Sequence, residues 1–575
     1  MWRLRQYIKP FLPIALAVMA LVFLEVMATL KLPDLMSEIV DLGIAQGDIP
    51  LIWRTGGVML LVALAGAFCA VLSNLLGSLA ATGLGRDLRI ALFSQVERFA
   101  PQEFNKFGTA SLITRTTNDV QQMQMVFLMT LRMALRAPLM AAGGVLMVVK
   151  KDSRLAMILL ALIPVIGVMI AIVLTKGVPL FKSLQHKLDR LNLVLREQLM
   201  GVRVIRAFDR GMHERERFGR ANLDLTQTTL KVNRIMITLM PVMTLLINFT
   251  SIAIIWFGAK RIDAGLMQVG DMMAFLQYSM QILWSIMMLS MLFVMLPRAS
   301  ASGERLVEVL ETAPSIQDPP RPLSPRPGAG ILEFKNVTFY YPGAEVPVLS
   351  DISFTARPGQ VTAIIGGTGS GKSTLLDLIP RFYDIQSGSI TLDGVDIRHM
   401  AQADLRSRLG YVPQRAVLFS GTIKENIRHG KKTATDQEVA AAARTAQAAD
   451  FIEEREEGYD SYISQGGTNV SGGQKQRLSI ARALARKPQI YLLDDTFSAL
   501  DYKTDAKLRR ELARSANNAT TIIVAQRVST VLSAEQIIVL DAGRIVGRGT
   551  HQELLSHSKV YQEIVASQLD EEAVS

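Results

Sequence analysis

Residues 366–374 have the composition of a loop that binds phosphate groups. The stretch is Gly-Gly-Thr-Gly-Ser-Gly-Lys-Ser-Thr, and its glycines let backbone N–H groups close around an anion without a clash from a Cβ atom. An apolar run predicted as a strand (361–365) precedes it, and a run predicted as a helix (374–379) follows, so a helix N-terminus faces the phosphates. We therefore predict a nucleotide site made by Gly366, Gly367, Thr368, Gly369, Ser370, Gly371, Lys372, Ser373 and Thr374.

Two kinds of side chain would complete this chemistry. In such a loop Lys372 reaches the β- and γ-phosphates, and the Ser373 hydroxyl ligates Mg²⁺. Asp494 follows a wholly apolar run, residues 490–493, which we predict to be a buried strand. Because a carboxylate at the end of such a strand is well placed to hold Mg²⁺ or its water ligands, the sequence predicts that ATP binds together with Mg²⁺.

A second motif lies between these elements. Val470-Ser471-Gly472-Gly473-Gln474 resembles the Leu-Ser-Gly-Gly-Gln signature of the ATP-binding cassette (ABC) transporters. Other segments resemble the family's motifs in the same order: Tyr341 before Pro342, Tyr411-Val412-Pro413-Gln414, and Ser498-Ala499-Leu500-Asp501. Residues 107–115 and 201–208 resemble the coupling segments that dock on the cassettes. The chain as a whole resembles bacterial heterodimeric multidrug exporters.

The resemblance implies a role for each motif. In this family two cassettes enclose two ATP molecules, and each ATP is held by the phosphate loop of one cassette and the signature of the other. Tyr341 would stack on adenine, and Gln414 would sense Mg²⁺ and contact the membrane domain. Ser471, Gly472, Gly473 and Gln474 would bind the γ-phosphate of the partner's ATP, since amides at a helix N-terminus attract anions. Asp501 would lie in the loop that crosses between the cassettes.

Two positions depart from the family pattern and imply a degenerate site. The family's general base is a Glu after the Mg²⁺-binding Asp, but here it is Asp495, which is one methylene shorter. Gln526 stands where the family carries a His that bridges the γ-phosphate and the base, and Gln cannot become cationic. We expect strong ATP binding but slow hydrolysis at this chain's own site. A partner half-transporter would then supply Glu and His, which favours a heterodimer, with a homodimer as the alternative.

The composition indicates a membrane protein. Hydrophobic residues make up 49% of the 575-residue chain, and the mean hydropathy is +0.26. Six apolar stretches are long enough to cross a bilayer, which takes about 20 residues. We place them near residues 11–33, 57–80, 129–149, 155–175, 236–258 and 272–296. The two long connections, 81–128 and 176–235, have polar helical patterns, so the spans should continue as helices into the cytoplasm.

Charge agrees with this orientation. The two long connections carry 18 Lys/Arg, against six in the three short ones, so the long connections and the N-terminus are predicted to be cytoplasmic. The net charge of +11 follows from this excess, and we therefore predict no nucleic-acid partner. The one cysteine, Cys69, excludes a disulfide framework and a multi-cysteine zinc site. The N-terminal apolar run lacks a small-residue cleavage site, so we predict no removable signal peptide.

The predicted fold is multidomain. It consists of a six-helix all-α transmembrane domain with long cytoplasmic helical extensions, followed by an α/β phosphate-loop domain with a mostly parallel sheet. The predicted regions are an interfacial helix at 1–10, the transmembrane domain at 11–312, a Pro-rich linker at 313–330, the ATP-binding domain at 331–568 and an acidic tail at 569–575.

The substrate site is less sharply indicated. Glu25 lies in the middle of the first span, where an ionisable group faces a cavity or a partner, so it binds a cationic drug or hydrogen-bonds another helix. Arg132 and Arg136 should lie near the cytoplasmic edge. The sixth span is rich in methionine, which suits promiscuous apolar ligands but also ordinary lipid contact. The candidate cavity residues are Glu25, Trp284, Met288, Met291 and Met295.

We predict one half of an ATP-driven exporter that moves amphiphilic small molecules, drugs or lipids, by alternating access. A multi-pass protein of the bacterial cytoplasmic membrane is expected, with its ATP-binding domain in the cytoplasm. The alternatives are a lipid or peptide exporter subunit, or a nucleotide-gated regulatory or channel-like subunit. An importer is disfavoured, because importer membrane subunits are usually separate chains.

Overall fold

The computed structural model describes the backbone of residues 2–325, 330–515 and 518–574. Side chains are not described at positions 2, 163, 170, 172–174, 178, 181–182, 236, 239–240, 290–294, 296–298 and 569–574. The chain divides into two compact units: residues Met1–Glu97 with Ala110–Thr312, and residues Arg98–Thr109 with Ala313–Ser575. The first unit is helical and the second contains every strand described, so the predicted fold class is confirmed.

The first unit is built mainly from long helices. Its α-helices are α1 (Arg5–Ile8), α2 (Leu12–Glu38), α3 (Ile49–Val96), α5 (Thr109–Thr114), α6 (Val120–Lys151), α7 (Ser153–Ile172), α8 (Val178–Met200), α9 (Val202–Ala207), α10 (Gly211–Asp263) and α11 (Val269–Glu311), and the short helix α4 (Pro101–Phe107) interrupts this series. The 48 residues of α3 extend for about 72 Å at 1.5 Å per residue, more than twice a bilayer's hydrocarbon thickness. The predicted continuation of spans as helices is therefore confirmed.

Five helical segments among the described residues are long and apolar enough to cross a membrane. They are Arg5–Ile44, Ile49–Val96, Thr109–Lys151, Pro241–Asp263 and Val269–Leu289, and each contains or overlaps a predicted span. The fourth predicted span, 155–175, falls on α7, whose described apolar stretch, Ser153–Met169, is shorter. The side chains on much of these helices are exposed in the single chain, as expected where lipid or a second subunit covers them.

Polar contacts fasten three helices of this unit at the ends predicted to face outward. The Lys151 ammonium at the end of α6 lies 3.0 Å from an Asp34 carboxylate oxygen of α2 and 2.7 Å from Asp271 of α11. Ser37 of α2 also donates a 2.8 Å hydrogen bond to Asp271. Each charge therefore has a partner, and the ends of α2, α6 and α11 are held together where the sequence places the non-cytoplasmic side.

The second unit combines a short segment of the helical region with the α/β domain. Helix α4 belongs to it, and Phe99 and Phe107 bury their rings there in a stacked pair with centroids 5.8 Å apart. Glu103 accepts a 3.3 Å hydrogen bond from the Ser315 amide at the start of the α/β part. The docked segment is thus Arg98–Thr109, which overlaps the predicted coupling stretch 107–115 only at its first residues. The other predicted stretch, 201–208, contains α9, and its residues Val204 and Phe208 are exposed.

The strands that the structure describes in this unit form three sheets. They are β1 (Leu332–Phe339), β2 (Leu349–Ala356), β3 (Val361–Ile365), β4 (Ser387–Leu392), β5 (Val395–Asp396), β6 (Leu409–Val412), β7 (Gly421–Thr422), β8 (Tyr462–Ile463), β9 (Ile490–Asp494), β10 (Thr520–Val524), β11 (Gln536–Asp541) and β12 (Arg544–Gly549). The six-stranded sheet has the order β12-β11-β3-β10-β9-β6 and is parallel except for β12. The two strands predicted from apolar runs at 361–365 and 490–493 are confirmed as β3 and β9.

Helices pack around this sheet. They are α12 (Lys372–Leu378), α13 (Gln402–Ser407), α14 (Ile423–Arg428), α15 (Asp436–Thr445), α16 (Ala449–Glu453), α17 (Gly472–Ala485), α18 (Tyr502–Ser515), α19 (Val528–Val531), α20 (His551–His557) and α21 (Lys559–Val574). All five residues of β9 and of β10 are buried, which is typical of central parallel strands covered on both faces. This rigid centre positions the loops at the carboxyl ends of the strands.

Candidate functional site

Four neighbouring strands bring the predicted nucleotide-site residues to one edge of the sheet. Strand β10 pairs in parallel with β3 on one side and with β9 on the other, and β6 pairs with β9. In this register Val524 is opposite both Ile364 and Asp494, so the loops that follow these strands lie side by side. The phosphate loop, Asp495, Gln526 and Gln414 each follow one of these strand ends. Loops at the carboxyl ends of parallel strands are where α/β folds bind ligands.

The phosphate loop is compact and its lysine is folded over it. Lys372 opens α12 and donates hydrogen bonds to the carbonyls of Gly366 (2.9 Å) and Gly367 (2.7 Å). A Cβ atom at Gly366 would lie 2.0 Å from the Leu540 carbonyl oxygen, so only glycine fits there. Burial lowers the pKa of Lys372, and the nearby Asp495 and Asp494 carboxylates oppose that shift. The Lys372 amino group therefore lies close to two carboxylates, next to the place where phosphates would lie.

The donor set at the base of this loop suits ATP and Mg²⁺. Ser373 Oγ donates a 3.0 Å hydrogen bond to Asp494 Oδ1, which places two hard oxygen ligands next to each other. Burial raises the pKa of Asp494, and Asp495 adds to the rise, so the pair favours a nearby cation. Ser370 Oγ, also in the loop, is buried with no hydrogen-bond partner among the described residues. A phosphate oxygen would satisfy it.

Asp495 lies between two glutamine amides. Gln526 Nε2 donates to Asp495 Oδ2 at 2.8 Å, and Gln414 Nε2 approaches the same oxygen at 3.2 Å. The backbone of Asp495 has a φ of +43°, the left-handed region that is uncommon outside glycine. Burial raises the pKa of Asp495, and its hydrogen bonds oppose the rise. The two positions that depart from the family pattern are therefore in direct contact.

Tyr341, the predicted adenine-stacking residue, borders the same loop. Its hydroxyl lies 3.0 Å from Thr374 Oγ1, and its ring meets Tyr383 edge-on with centroids 5.3 Å apart. Phe339 packs against the Tyr341 ring at 5.0 Å. The aromatic ring is therefore held in a fixed orientation beside the phosphate-loop helix, and it remains only partly buried.

The signature segment forms the N-terminus of α17. Ser471 Oγ accepts a 3.2 Å hydrogen bond from the Gln474 amide, and Gln474 Oε1 accepts from the Ser471 amide at 3.0 Å. This capping box leaves Ser471 and Gly472 exposed at a helix N-terminus. Asp501 caps α18 by accepting from the Thr504 amide at 2.9 Å. The predicted signature is thus open to a ligand presented from outside this chain.

In the helical unit, Glu25 is 7% exposed and forms an ion pair with Arg136 of α6, with Oε1 and Nη1 3.0 Å apart. This contact supports the alternative in which Glu25 links α2 to another helix, over the one in which it binds a cationic drug. Trp284 is 55% exposed, and Met288 and Met295 are partly buried. The side chain of Met291 lies outside the described residues, and the substrate role of all five positions stays a prediction.

Sequence reasoning missed an acid beneath the site. Asp377 of α12 accepts a 3.1 Å hydrogen bond from the Tyr411 hydroxyl of β6, three residues before Gln414. Burial raises the pKa of Asp377 from 3.8 to about 6, with Asp494 adding to the rise. The spacing of these two residues in the sequence carries no signal for this contact.

This raised pKa makes stability depend on pH. The folded chain holds the Asp377 proton more tightly than the unfolded chain. Protonation of Asp377 therefore stabilises the fold fully below the unfolded pKa of 3.8, and this stabilisation is lost as the pH rises through about 6. Asp377→Asn removes that loss while retaining an acceptor for Tyr411. We expect the variant to match the wild type near pH 4 and to exceed it by roughly 1–2 kcal/mol at neutral pH. Melting temperatures of the full-length protein across this range would measure it, and a constant difference at every pH would contradict the assignment.

The fold and the site define a class of protein: a phosphate-loop ATP-binding domain on the same chain as a helical membrane unit. Family models agree with both parts. The model described as the ABC transporter transmembrane region matches residues 15–286, and the model described as ABC transporter matches residues 349–498.

Full-length relatives match both units together. An uncharacterised ABC transporter ATP-binding protein of Mycobacterium tuberculosis is 45% identical, over 98% of this chain and 97% of its own length. An ATP-dependent lipid A-core flippase of Desulfotalea psychrophila is 34% identical over 83% of each chain. The structure of a bacterial Atm1-family ABC exporter with ATP bound superposes with a TM-score of 0.76 at 26% identity, covering 98% of both chains.

The chain belongs to the ABC transporter family. It is a half-transporter with a fused membrane domain and ATP-binding cassette, and it is a multi-pass integral membrane protein. Its fold is that of the ABC exporters, and half-transporters of this family work as dimers.

Proposed function

We propose that this chain is the exporter subunit whose own ATP site mainly clamps nucleotide, while a partner's residues carry out most of the hydrolysis. The contact that carries the proposal is Gln526 Nε2 to Asp495 Oδ2, 2.8 Å, because it joins the base position to the switch position without a Glu or a His. A shorter carboxylate lies farther from the attacking water, and a misplacement of about 1 Å costs roughly 10²-fold in rate.

The positions of the side chains support the following roles for the remaining residues. Lys372 and the backbone amides of the phosphate loop bind the ATP phosphates, Tyr341 packs on the adenine, and Ser373 with Asp494 and Gln414 holds Mg²⁺ or its waters. Mg²⁺ supplies charge neutralisation at the phosphates when it is bound. The exposed N-terminus of α17, with Ser471, Gly472, Gly473 and Gln474, completes the partner's site, and Asp501 belongs to the loop between the cassettes. We assign the cassette to 331–568 and the membrane domain to 11–312.

The nearly intact signature, with Val470 in place of Leu, beside a weakened base favours two different subunits. A homodimer would repeat Asp495 and Gln526 at both sites, whereas a second half-transporter with Glu and His would restore one. For the cargo we propose an amphiphile, a drug-like molecule or a lipid. The partly exposed Trp284 and the methionines of α11 support an apolar contact surface, and the lipid A-core flippase relative supports a lipid.

Reconstitution of the transporter, purified from its native membrane with any bound partner, would test this function. Proteoliposomes loaded with ATP and Mg²⁺ should move a fluorescent phospholipid or a cationic dye between leaflets or compartments, and the cargo should stimulate ATP hydrolysis. Flux that needs ATP binding but continues with a non-hydrolysable analogue would instead indicate a nucleotide-gated channel-like subunit. Co-purification of a second half-transporter in equal amount is expected.

A further inference from the structure

The C-terminal helix α21 reaches the loop that carries Gln526. Gln568, near the end of the helix, donates a 2.7 Å hydrogen bond from Nε2 to the Gln526 carbonyl. Its Oε1 accepts a 2.7 Å hydrogen bond from the Val528 amide. The Gln568 side-chain amide therefore satisfies both the Gln526 carbonyl and the Val528 amide of the same loop, much as the backbone of a neighbouring strand would.

Helix α21 is a firm base for this contact. Tyr561 is fully buried, and its hydroxyl lies 2.8 Å from His551 Nδ1. Ile564 and Val565, on the next turn, pack against the main hydrophobic core of the cassette. A helix anchored in this way cannot follow movements of the Gln526 loop, so Gln568 restrains the loop rather than moving with it.

The restraint leads directly to the nucleotide site. The Gln526 backbone is held by Gln568, and its side chain donates to Asp495 at 2.8 Å. Asp495 is in turn fixed at its own backbone, because its amide donates to the Val524 carbonyl at 2.9 Å. Loss of the Gln568 contacts would leave the backbone of the Gln526 loop without these two hydrogen bonds. The Gln526 side-chain amide would then sample orientations away from the γ-phosphate position.

We propose that Gln568 is a positioning residue for the ATP site, which makes the C-terminal helix a determinant of how this chain distinguishes ATP from ADP. The proposal rests on the nucleotide site proposed above. Gln526 lies beside the γ-phosphate position, while the phosphate loop holds the α- and β-phosphates common to both nucleotides. A displaced Gln526 should therefore weaken binding of the triphosphate and leave binding of the diphosphate unchanged.

Binding of a non-hydrolysable ATP analogue and of ADP to the full-length protein tests this split. Gln568→Ala removes both hydrogen bonds, and Gln568→Glu keeps the acceptor for Val528 but loses the donor to Gln526. Because a net hydrogen bond contributes about 0.5–1.5 kcal/mol, we expect roughly 3- to 10-fold weaker binding of the ATP analogue in both variants, with ADP binding unchanged. Ser567→Ala is the matched control, since Ser567 is exposed on the same helix and its hydroxyl donates to the Ile564 carbonyl, its one side-chain hydrogen bond among the described residues.

A second arm separates positioning from general damage. In a Gln526→Ala background the Gln568→Ala change should add almost nothing, because the side chain that it positions is gone. Equal weakening of ATP analogue and ADP, or a full further effect in the Gln526→Ala background, would overturn the proposal. Unchanged binding of both nucleotides would also overturn it while leaving the nucleotide site intact. A wild-type protein that binds neither nucleotide would overturn both.

Discussion

Ser471→Arg in this chain is expected to reduce ATP hydrolysis by the assembled transporter by at least about 10²-fold, a larger loss than any change in this chain's own phosphate loop. Ser471 and Gly472 are exposed at the N-terminus of α17, where a bulky cation would displace the partner's γ-phosphate. If the partner's Glu and His do most of the hydrolysis, the signature of this chain completes the ATP site in which that hydrolysis takes place.

The matched variant is Lys372→Ala in the same chain. It removes the cation that folds over Gly366 and Gly367 and therefore weakens nucleotide binding at this chain's own site. If that site mainly contributes binding energy to closure, as proposed, we expect a loss of roughly 2- to 5-fold in steady-state hydrolysis. Ser556→Arg, on exposed helix α20, controls for the added charge. Equal large losses for Ser471→Arg and Lys372→Ala would contradict the asymmetry and would favour a homodimer.

The grouping of the predicted nucleotide-site residues at one edge of the sheet could be predicted, because parallel strands align their carboxyl ends. Asp494 ends one apolar run and Gln526 follows another by two residues. Once the two runs pair as β9 and β10 in register, Gln526 must lie close to Asp495. The phosphate loop follows β3 in the same way. Local patterns therefore sufficed to predict which side chains share the site.

Contacts between distant segments could not be predicted from the same patterns. Gln568 bonds a loop 42 positions earlier, and Asp377 meets Tyr411 from a different element, although no motif contains either pair. Glu25 could be predicted to seek a partner, because an ionisable group in a membrane demands one, but Arg136 could not be chosen over other polar groups. Contacts in the helical unit were harder to predict than those in the cassette, since apolar periodicity alone does not indicate which helices pack against each other.

The docked segment shows the same limit. The resemblance to a coupling motif predicts a docking segment at residues 107–115, whereas the part that groups with the cassette is Arg98–Thr109. The hydrogen bond that joins this segment to the start of the α/β part comes from Glu103, which lies before the motif. A short amphipathic helix between two long ones has too few turns for its apolar face to stand out in the sequence.

Asp495→Glu combined with Gln526→His should raise hydrolysis at this chain's own site by about 10- to 10²-fold. Glu extends the carboxylate by one methylene toward the water, and His adds a group that can carry a proton beside the γ-phosphate. The two side chains are in contact at 2.8 Å, so their effects should be strongly non-additive. Each single variant should raise the hydrolysis rate by less than half of the double variant's gain in activation free energy.

The measurement requires that the observed ATP hydrolysis comes only from the site built on this chain. Steady-state ATPase rates of the assembled transporter would be compared with the partner's own base neutralised, so that the remaining turnover comes from the site built on this chain. Gln414 also contacts Asp495, at 3.2 Å, and Gln414→Ala in the double variant should remove most of the gain, because the new carboxylate would lose one of its two restraints. If Asp495→Glu with Gln526→His leaves the rate unchanged while nucleotide still binds, a base other than residue 495 limits hydrolysis, and the degenerate-site account is wrong.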